Sequence, residues 1–281
     1  IHIGGDECPK ASWKACPDCQ ALIRKLGLKD EYELQSYFVT RMEKYINSKG
    51  RQIIGWDEIL QGGLAPNAKV MSWLGEEGGI KAAQQHHEVV MSPHYKYYLD
   101  YWQADPYSKP PAMSCPTTLR TMYDYGPVPE VLTQEERKYI IGVEGCVWTE
   151  YMPTPERVEY MAWPRMCAIA ETGWTRREKD WDGFVQRLEK HFGRLDGMDV
   201  AYCSAFYNPM IVFHKDTPHN MVVTMTVDAP GAEIHYTLDG SVPTADSPKY
   251  EIPFSINRSQ TVTAAAYRDG RQIGEIKSKR F

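Results

Sequence analysis

Short apolar runs alternate with amphipathic helical stretches from residue 1 to about residue 205, and this alternation limits the fold more than any other feature of the sequence. Ile1 to Gly5 is apolar and ends in two glycines, as a buried strand does when it turns sharply into a loop. Asp30 to Lys49 carries Leu34, Tyr37, Phe38, Met42, Tyr45 and Ile46 at helical spacing, with Asp30 as N-cap and Gly50 just past the end. Strands are then expected over Gln52–Trp56, Ala68–Trp73, Glu88–Ser92 and Tyr139–Glu144, and helices over Glu76–Gln85, Thr154–Ala170 and Trp181–Leu195. Strands that alternate with helices form a parallel sheet with helical cover. The long irregular stretch from Pro93 to Pro129 follows a strand, which is where a (β/α)8 barrel carries its functional loops.

From about Asn208 the texture changes. Alternating runs appear at Met221–Val227, Glu233–Thr237 and Thr261–Tyr267, with turn pairs Pro230-Gly231, Asp239-Gly240 and Asp269-Gly270. The fold class is therefore α/β: the C-terminal half of a (β/α)8 barrel followed by a small antiparallel β-sandwich. Its divisions are residues 1–205 for the partial barrel, 206–217 for a linker and 218–281 for the sandwich.

Composition excludes several functions. The formal net charge is −5 and Lys and Arg nowhere cluster, so phosphate contact has no footprint and no nucleic-acid partner is expected. No run approaches the roughly 18 apolar residues of a membrane span. The 8 Trp and 18 Tyr point elsewhere, because rings with apolar faces and polar edges suit sugars, although most of them belong to the core. Seven cysteines (8, 16, 19, 115, 146, 167 and 203) leave at least one unpaired within the chain. Cys16-Pro17-Asp18-Cys19 is a lone CxxC, read as a local disulfide or two inert thiols rather than a zinc or redox site.

Asp6-Glu7 leads the candidate residues. Adjacent residues on a strand face opposite ways, so two neighbouring carboxylates serve one site only where the chain leaves the sheet, as Gly4-Gly5 and Cys8-Pro9 allow. Alone, such a pair reads as a solvated acidic loop. Its company changes that reading: Trp56 with Asp57 and Glu58, Trp73, and Trp148 with Glu150 also stand at strand ends. Carboxyl ends of parallel barrel strands gather at one mouth, and indoles with carboxylates fit a sugar ring.

The blocks HIGGDE, GWDEI, VMSWLGEEGG, YYLDYW and GVEGCVWTE, in this order, resemble the glycoside hydrolase family 20 β-N-acetylhexosaminidases over roughly residues 1–205. Residues 218–281, around IHYTLDGSVPT, resemble the small C-terminal domain that accompanies such barrels. The resemblance implies that Glu7 is the general acid/base and that Asp6 orients and stabilises the substrate's 2-acetamido group. The acetamido oxygen then acts as nucleophile, giving an oxazolinium intermediate and net retention, an exception to the two-carboxylate scheme. Tyr98 is implied to hold that oxygen, Trp56, Trp73 and Trp148 to wall the sugar, and Asp100 and Glu150 to accept from its outer hydroxyls. Asp57 and Glu58 are read as braces of the strand-end loop, Trp102 as packing or as a contact beyond the sugar, and His2 as support for the acid pair or a structural residue.

The resemblance further implies that N-acetylhexosamine-containing glycans are the partners, that no metal or cofactor is needed, and that the protein is periplasmic, cell-surface or secreted. It begins at about the fourth barrel strand, so the missing half would take with it an arginine that grips the sugar hydroxyls. This piece alone is accordingly expected to be inactive, or to self-associate through its open barrel edge. Two other readings stay open: a non-catalytic carbohydrate-binding module, and a retaining glycosidase with a protein nucleophile.

Overall fold

The computed structural model describes residues 1–104, 111–113, 116–175, 178–216, 220–257 and 260–281. Cys115 and the expected junction at residues 217 and 218 lie outside the described residues. The chain divides into two compact units, one of residues 1–98 and 126–146, the other of residues 99–125 and 147–281.

The first unit opens with the short helix α1 (Ala11–Ala15), then α2 (Pro17–Leu26) and α3 (Glu31–Asn47). The Asp30 side chain caps α3, accepting from the backbone N–H groups of Tyr32 and Glu33 at 2.9 and 3.1 Å. After it come β1 (Ile54–Trp56), β2 (Lys69–Ser72), α4 (Glu77–Gln84), β3 (Val89–Met91), the single turn α5 (His94–Tyr97) and β4 (Ile140–Val143). The strands form one parallel sheet in the order β1-β2-β3-β4. Residues 1–4 run parallel beside β1, with the Ile3 N–H on the Ile54 carbonyl and the Trp56 N–H on the Gly4 carbonyl, each at 2.9 Å. Ile53, Ile59, Val70, Ala82, Val89 and Met91 fill the core beneath the sheet, as near-continuous apolar strands of a covered parallel sheet must.

The outer side of α3 is less well covered. Phe38 and Tyr45 are 57% and 62% exposed, and Ile3, Trp13, Leu22, Leu34, Phe38 and Met42 line an open apolar groove.

The second unit contains α6 (Leu119–Asp124), α7 (Pro155–Ala162), α8 (Arg165–Trp174) and α9 (Trp181–Gly197). The single helix expected over Thr154–Ala170 is thus two, broken at Trp163 and Pro164, because a proline ring removes an N–H and clashes with the preceding turn. Thr154 caps α7 through its side-chain oxygen on the Arg157 N–H, 3.2 Å. Two three-stranded antiparallel sheets follow: β5 (Met210–Lys215), β6 (Asn220–Thr226) and β8 (Phe254–Asn257) in the order β5-β6-β8, and β7 (Glu233–Thr237), β9 (Thr261–Arg268) and β10 (Arg271–Arg280) in the order β10-β9-β7. Their inner faces share Ile211, Val223, Met225, Ile234, Ile256, Val262 and Ala264. Within residues 206–217, expected as linker, β5 pairs with β6 from Met210↔Thr226 to Lys215↔Met221. Asp269 (φ 52°) and Gly270 (φ 71°) make the tight turn between β9 and β10. No helix among the described residues is long and apolar enough to cross a membrane.

Candidate active site

The acid pair owes its placement to the two glycines before it. Gly4 and Gly5 have φ of 69° and 100°, a region side chains rarely enter, and the chain swings out of the sheet there. A Cβ on Gly5 would lie 2.4 Å from Ile59 Cγ2, so the residue is glycine for space as well as for conformation. Asp6 and Glu7 emerge exposed, as expected for carboxylates that leave the sheet. Glu7 itself sits at φ 46°, and its backbone N–H donates to Glu58 Oε1 at 3.1 Å. Non-glycine residues held in such conformations persist where their surroundings fix them.

Aromatic groups from successive strand ends stand together in the same unit. His2 meets Trp56 edge-on at 4.9 Å, Trp56 meets Trp73 edge-on at 6.5 Å, and Trp73 stacks on Tyr98 at 6.2 Å with an 18° interplanar angle. Trp56 and Tyr98 are buried and Trp73 half-buried. The His2 Nδ1 accepts from the Gly4 N–H at 3.1 Å, which places the ring's own proton on Nε2. His94, unremarked in the sequence, adds its ring beside both Trp73 and Tyr98, at 6.1 Å from each. Desolvation lowers its pKa and so favours a neutral ring.

Of the two carboxylates after Trp56, it is Glu58 that makes hydrogen bonds to neighbouring loops. Both lie in a 3-10 turn, Asp57–Leu60. Asp57 is buried, and that burial pushes its carboxyl up to about 6, with a smaller push from Glu58 and the nearby Trp73 and Leu74 backbone opposing it. Half-buried Glu58 takes the Trp73 Nε1–H on Oε2 at 3.1 Å. Spacing revealed neither this bond nor the one to Glu7, since both depend on how separate strand ends meet.

Asp100, Trp148 and Glu150 belong to the other unit. Asp100 is 4% exposed, and one of its oxygens has no hydrogen-bond partner among the described residues. Burial first and Glu150 second raise its carboxyl to about 6, while Arg165 opposes them. Trp148 and Glu150 are exposed. Trp102 packs against Ala112, Met152 and Met161. Sequence reasoning missed Arg165, a fully buried guanidinium that donates to the carbonyls of Leu99 and Tyr101 on either side of Asp100, and to those of Thr117 and Met161. Burial lowers its pKa to about 9, so it stays charged at neutral pH. In a sequence, such an arginine looks like any other helix residue.

Among the described residues no group of His, Cys, Asp and Glu is arranged to hold a metal ion, and Cys8, Cys16, Cys19, Cys146, Cys167 and Cys203 are thiols. The chemistry offered is that of exposed carboxylates beside a run of aromatic rings, suited to proton transfer on a substrate with an apolar face.

Residues 1–177 match the family model for the catalytic domain of glycosyl hydrolase family 20, more than half of the chain. The chain belongs to glycosyl hydrolase family 20. Residues 223–281 match the Fn3-associated family. A β-hexosaminidase of Porphyromonas gingivalis is 42% identical over 277 residues, covering 94% of this chain and 35% of that protein. A family 20 exo-β-N-acetylglucosaminidase from Vibrio harveyi, solved in complex with N-acetylglucosamine, superposes with a TM-score of 0.66 at 34% identity, covering 73% of this chain and 33% of that one. The β-N-acetylhexosaminidase of Bacteroides fragilis gives 0.62 at 26% identity, covering 72% and 42%. The chain thus spans about a third of the length of the Porphyromonas relative. All five sequence blocks that carried the resemblance fall inside the matched catalytic region of this family 20 chain.

Proposed function

We propose that the protein of which this family 20 chain is part hydrolyses terminal non-reducing β-linked N-acetylhexosamine from glycans, with retention and with the substrate's acetamido group as nucleophile. The observation that carries the reading is the Asp6-Glu7 pair, delivered out of the sheet by Gly4-Gly5 in the unit where Trp56, Trp73 and Tyr98 form a continuous aromatic run. Family membership and the N-acetylglucosamine bound by the Vibrio harveyi relative support the choice of sugar.

In this scheme Glu7 gives its proton to the glycosidic oxygen as the bond to the anomeric carbon breaks. The acetamido oxygen forms the new bond to that carbon, and Asp6 stabilises the positive charge that builds on the acetamido group. Tyr98, packed against the Trp73 and His94 rings, fixes the acetamido oxygen for attack. Glu7, now a carboxylate, takes a proton from the water that opens the oxazolinium ring, restoring the starting configuration. Asp100 and Glu150 accept from sugar hydroxyls, and Trp148 walls the ring. Export to the periplasm or cell surface belongs to the same proposal.

Glu7→Gln in the full-length protein tests it. Turnover of an aryl β-N-acetylglucosaminide is expected to fall roughly 100-fold or more while ligand binding survives, since a general acid/base contributes about 10²–10⁴. Undiminished turnover would refute the assignment. Hydrolysis of the corresponding aryl glucoside, which lacks the acetamido group, at a comparable rate would instead favour a protein nucleophile.

A further inference from the structure

Glu58 makes two bonds that no other side chain in the first unit makes together. Its Oε1 accepts the backbone N–H of Glu7 at 3.1 Å, and its Oε2 accepts the indole N–H of Trp73 at 3.1 Å. One carboxylate therefore joins the acid loop, which leaves the sheet beside β1, to the aromatic residue that follows β2. We propose that Glu58 is a positioning residue for the reaction, setting the proton-donating Glu7 at a fixed distance from the Trp73 wall of the sugar pocket. The proposal rests on the functional reading above and goes beyond it by assigning a role to a residue that contacts no substrate.

Neighbouring contacts show why this side chain holds that link. The turn bearing Glu58 is fixed to the acid loop by buried Gln35, whose Nε2 donates to both the Gly5 and Glu58 carbonyls at 3.3 Å. Lys10, also buried, donates to Gln35 Oε1 and to the Cys8 carbonyl. Ile59 packs where a Gly5 side chain would be. These contacts place the loop as a whole, whereas Glu58 alone reaches the main chain of the acid residue, at its positive φ of 46°. Charge-assisted hydrogen bonds to N–H donors are about twice as strong as neutral ones, so a carboxylate suits this post better than an amide. Glu58→Gln keeps the shape but turns one oxygen into an NH2 group that faces an N–H, so one of the two bonds must break.

The test uses the full-length protein. Glu58→Gln is expected to lower kcat on the aryl β-N-acetylglucosaminide roughly 10- to 100-fold, as displacement of a catalytic group by about 1 Å does, with KM within about threefold. Its melting temperature should stay within about 2 °C of the parent. In a Trp73→Phe background, which has no indole N–H, the same substitution should cost less than in the parent, because the two residues share one interaction. A kcat within twofold of the parent would overturn the proposal. So would a loss matched by an equal loss of folded protein, or an undiminished cost in the Trp73→Phe background. A parent that does not hydrolyse the substrate overturns the functional reading and this inference with it, whereas an active parent, a dead Glu7→Gln and an unimpaired Glu58→Gln sink the inference alone.

Discussion

Asp100 is buried, one of its oxygens has no hydrogen-bond partner among the described residues, and its carboxyl is raised to about 6, which gives this candidate site residue a pH signature. Below that pH the group is neutral, and above it is the ionised acceptor that a sugar hydroxyl needs. In the full-length protein kcat/KM should rise as pH climbs through about 6, and Asp100→Asn should flatten that limb at a lower plateau. An unchanged limb in Asp100→Asn would exclude Asp100 as its source. The stability sign is opposite. A carboxyl whose folded pKa lies above its unfolded value binds more protons when folded, so both Asp57 and Asp100 withdraw stability as pH rises from the ordinary carboxylate range through about 6. Arg165 limits that cost at Asp100 by placing a positive charge nearby while its N–H groups hold the flanking carbonyls.

The decisive element is the exit from the sheet, where residues 1–4 hydrogen-bond along β1 and then depart through two left-handed glycines. Gly5→Ala would meet Ile59 at 2.4 Å and a φ of 100°, so it should cost on the order of 1–3 kcal/mol and displace Glu7. A denaturant midpoint and kcat measured together check this; an alanine variant with parental values for both would show that the exit does not need glycine. The neighbouring elements were legible in the sequence to different degrees. The N-cap Asp30, the parallel strands and the helix at Trp181 follow from local pattern, and the structure has them. The division of Thr154–Ala170 at Pro164 had its signal in plain view, since proline rarely continues a helix. β10 was harder to see, because an exposed strand rich in charged residues lacks the alternation that betrays a buried face; β8 has only four residues in which to show a period, and β5 runs apolar through Phe213 without alternating.

For the whole molecule, the relevant comparison is the sheet. A complete (β/α)8 barrel closes eight strands, whereas the parallel sheet among the described residues has four, and α3 carries exposed Phe38 and Tyr45 beside an apolar groove. The 281-residue chain by itself should therefore turn over an aryl β-N-acetylglucosaminide far more slowly than the full-length protein, and sediment as more than a monomer at high concentration. Turnover near the full-length rate would contradict the first expectation, and a concentration-independent monomer the second.

What the sequence determined by itself was the class of fold and the family to which the chain belongs. Alternating patterns specify strands and helices locally, and Gly4-Gly5 before Asp6-Glu7 marks a strand end that presents carboxylates. Tertiary structure decided which of many polar residues matter around them. Glu58 reaches across to Glu7 and Trp73, Gln35 joins the loop to the turn, and Arg165 gathers carbonyls from three separate stretches of chain. Such roles depend on distances between segments far apart in sequence, and a hydrogen bond carries no periodicity that would announce it beforehand.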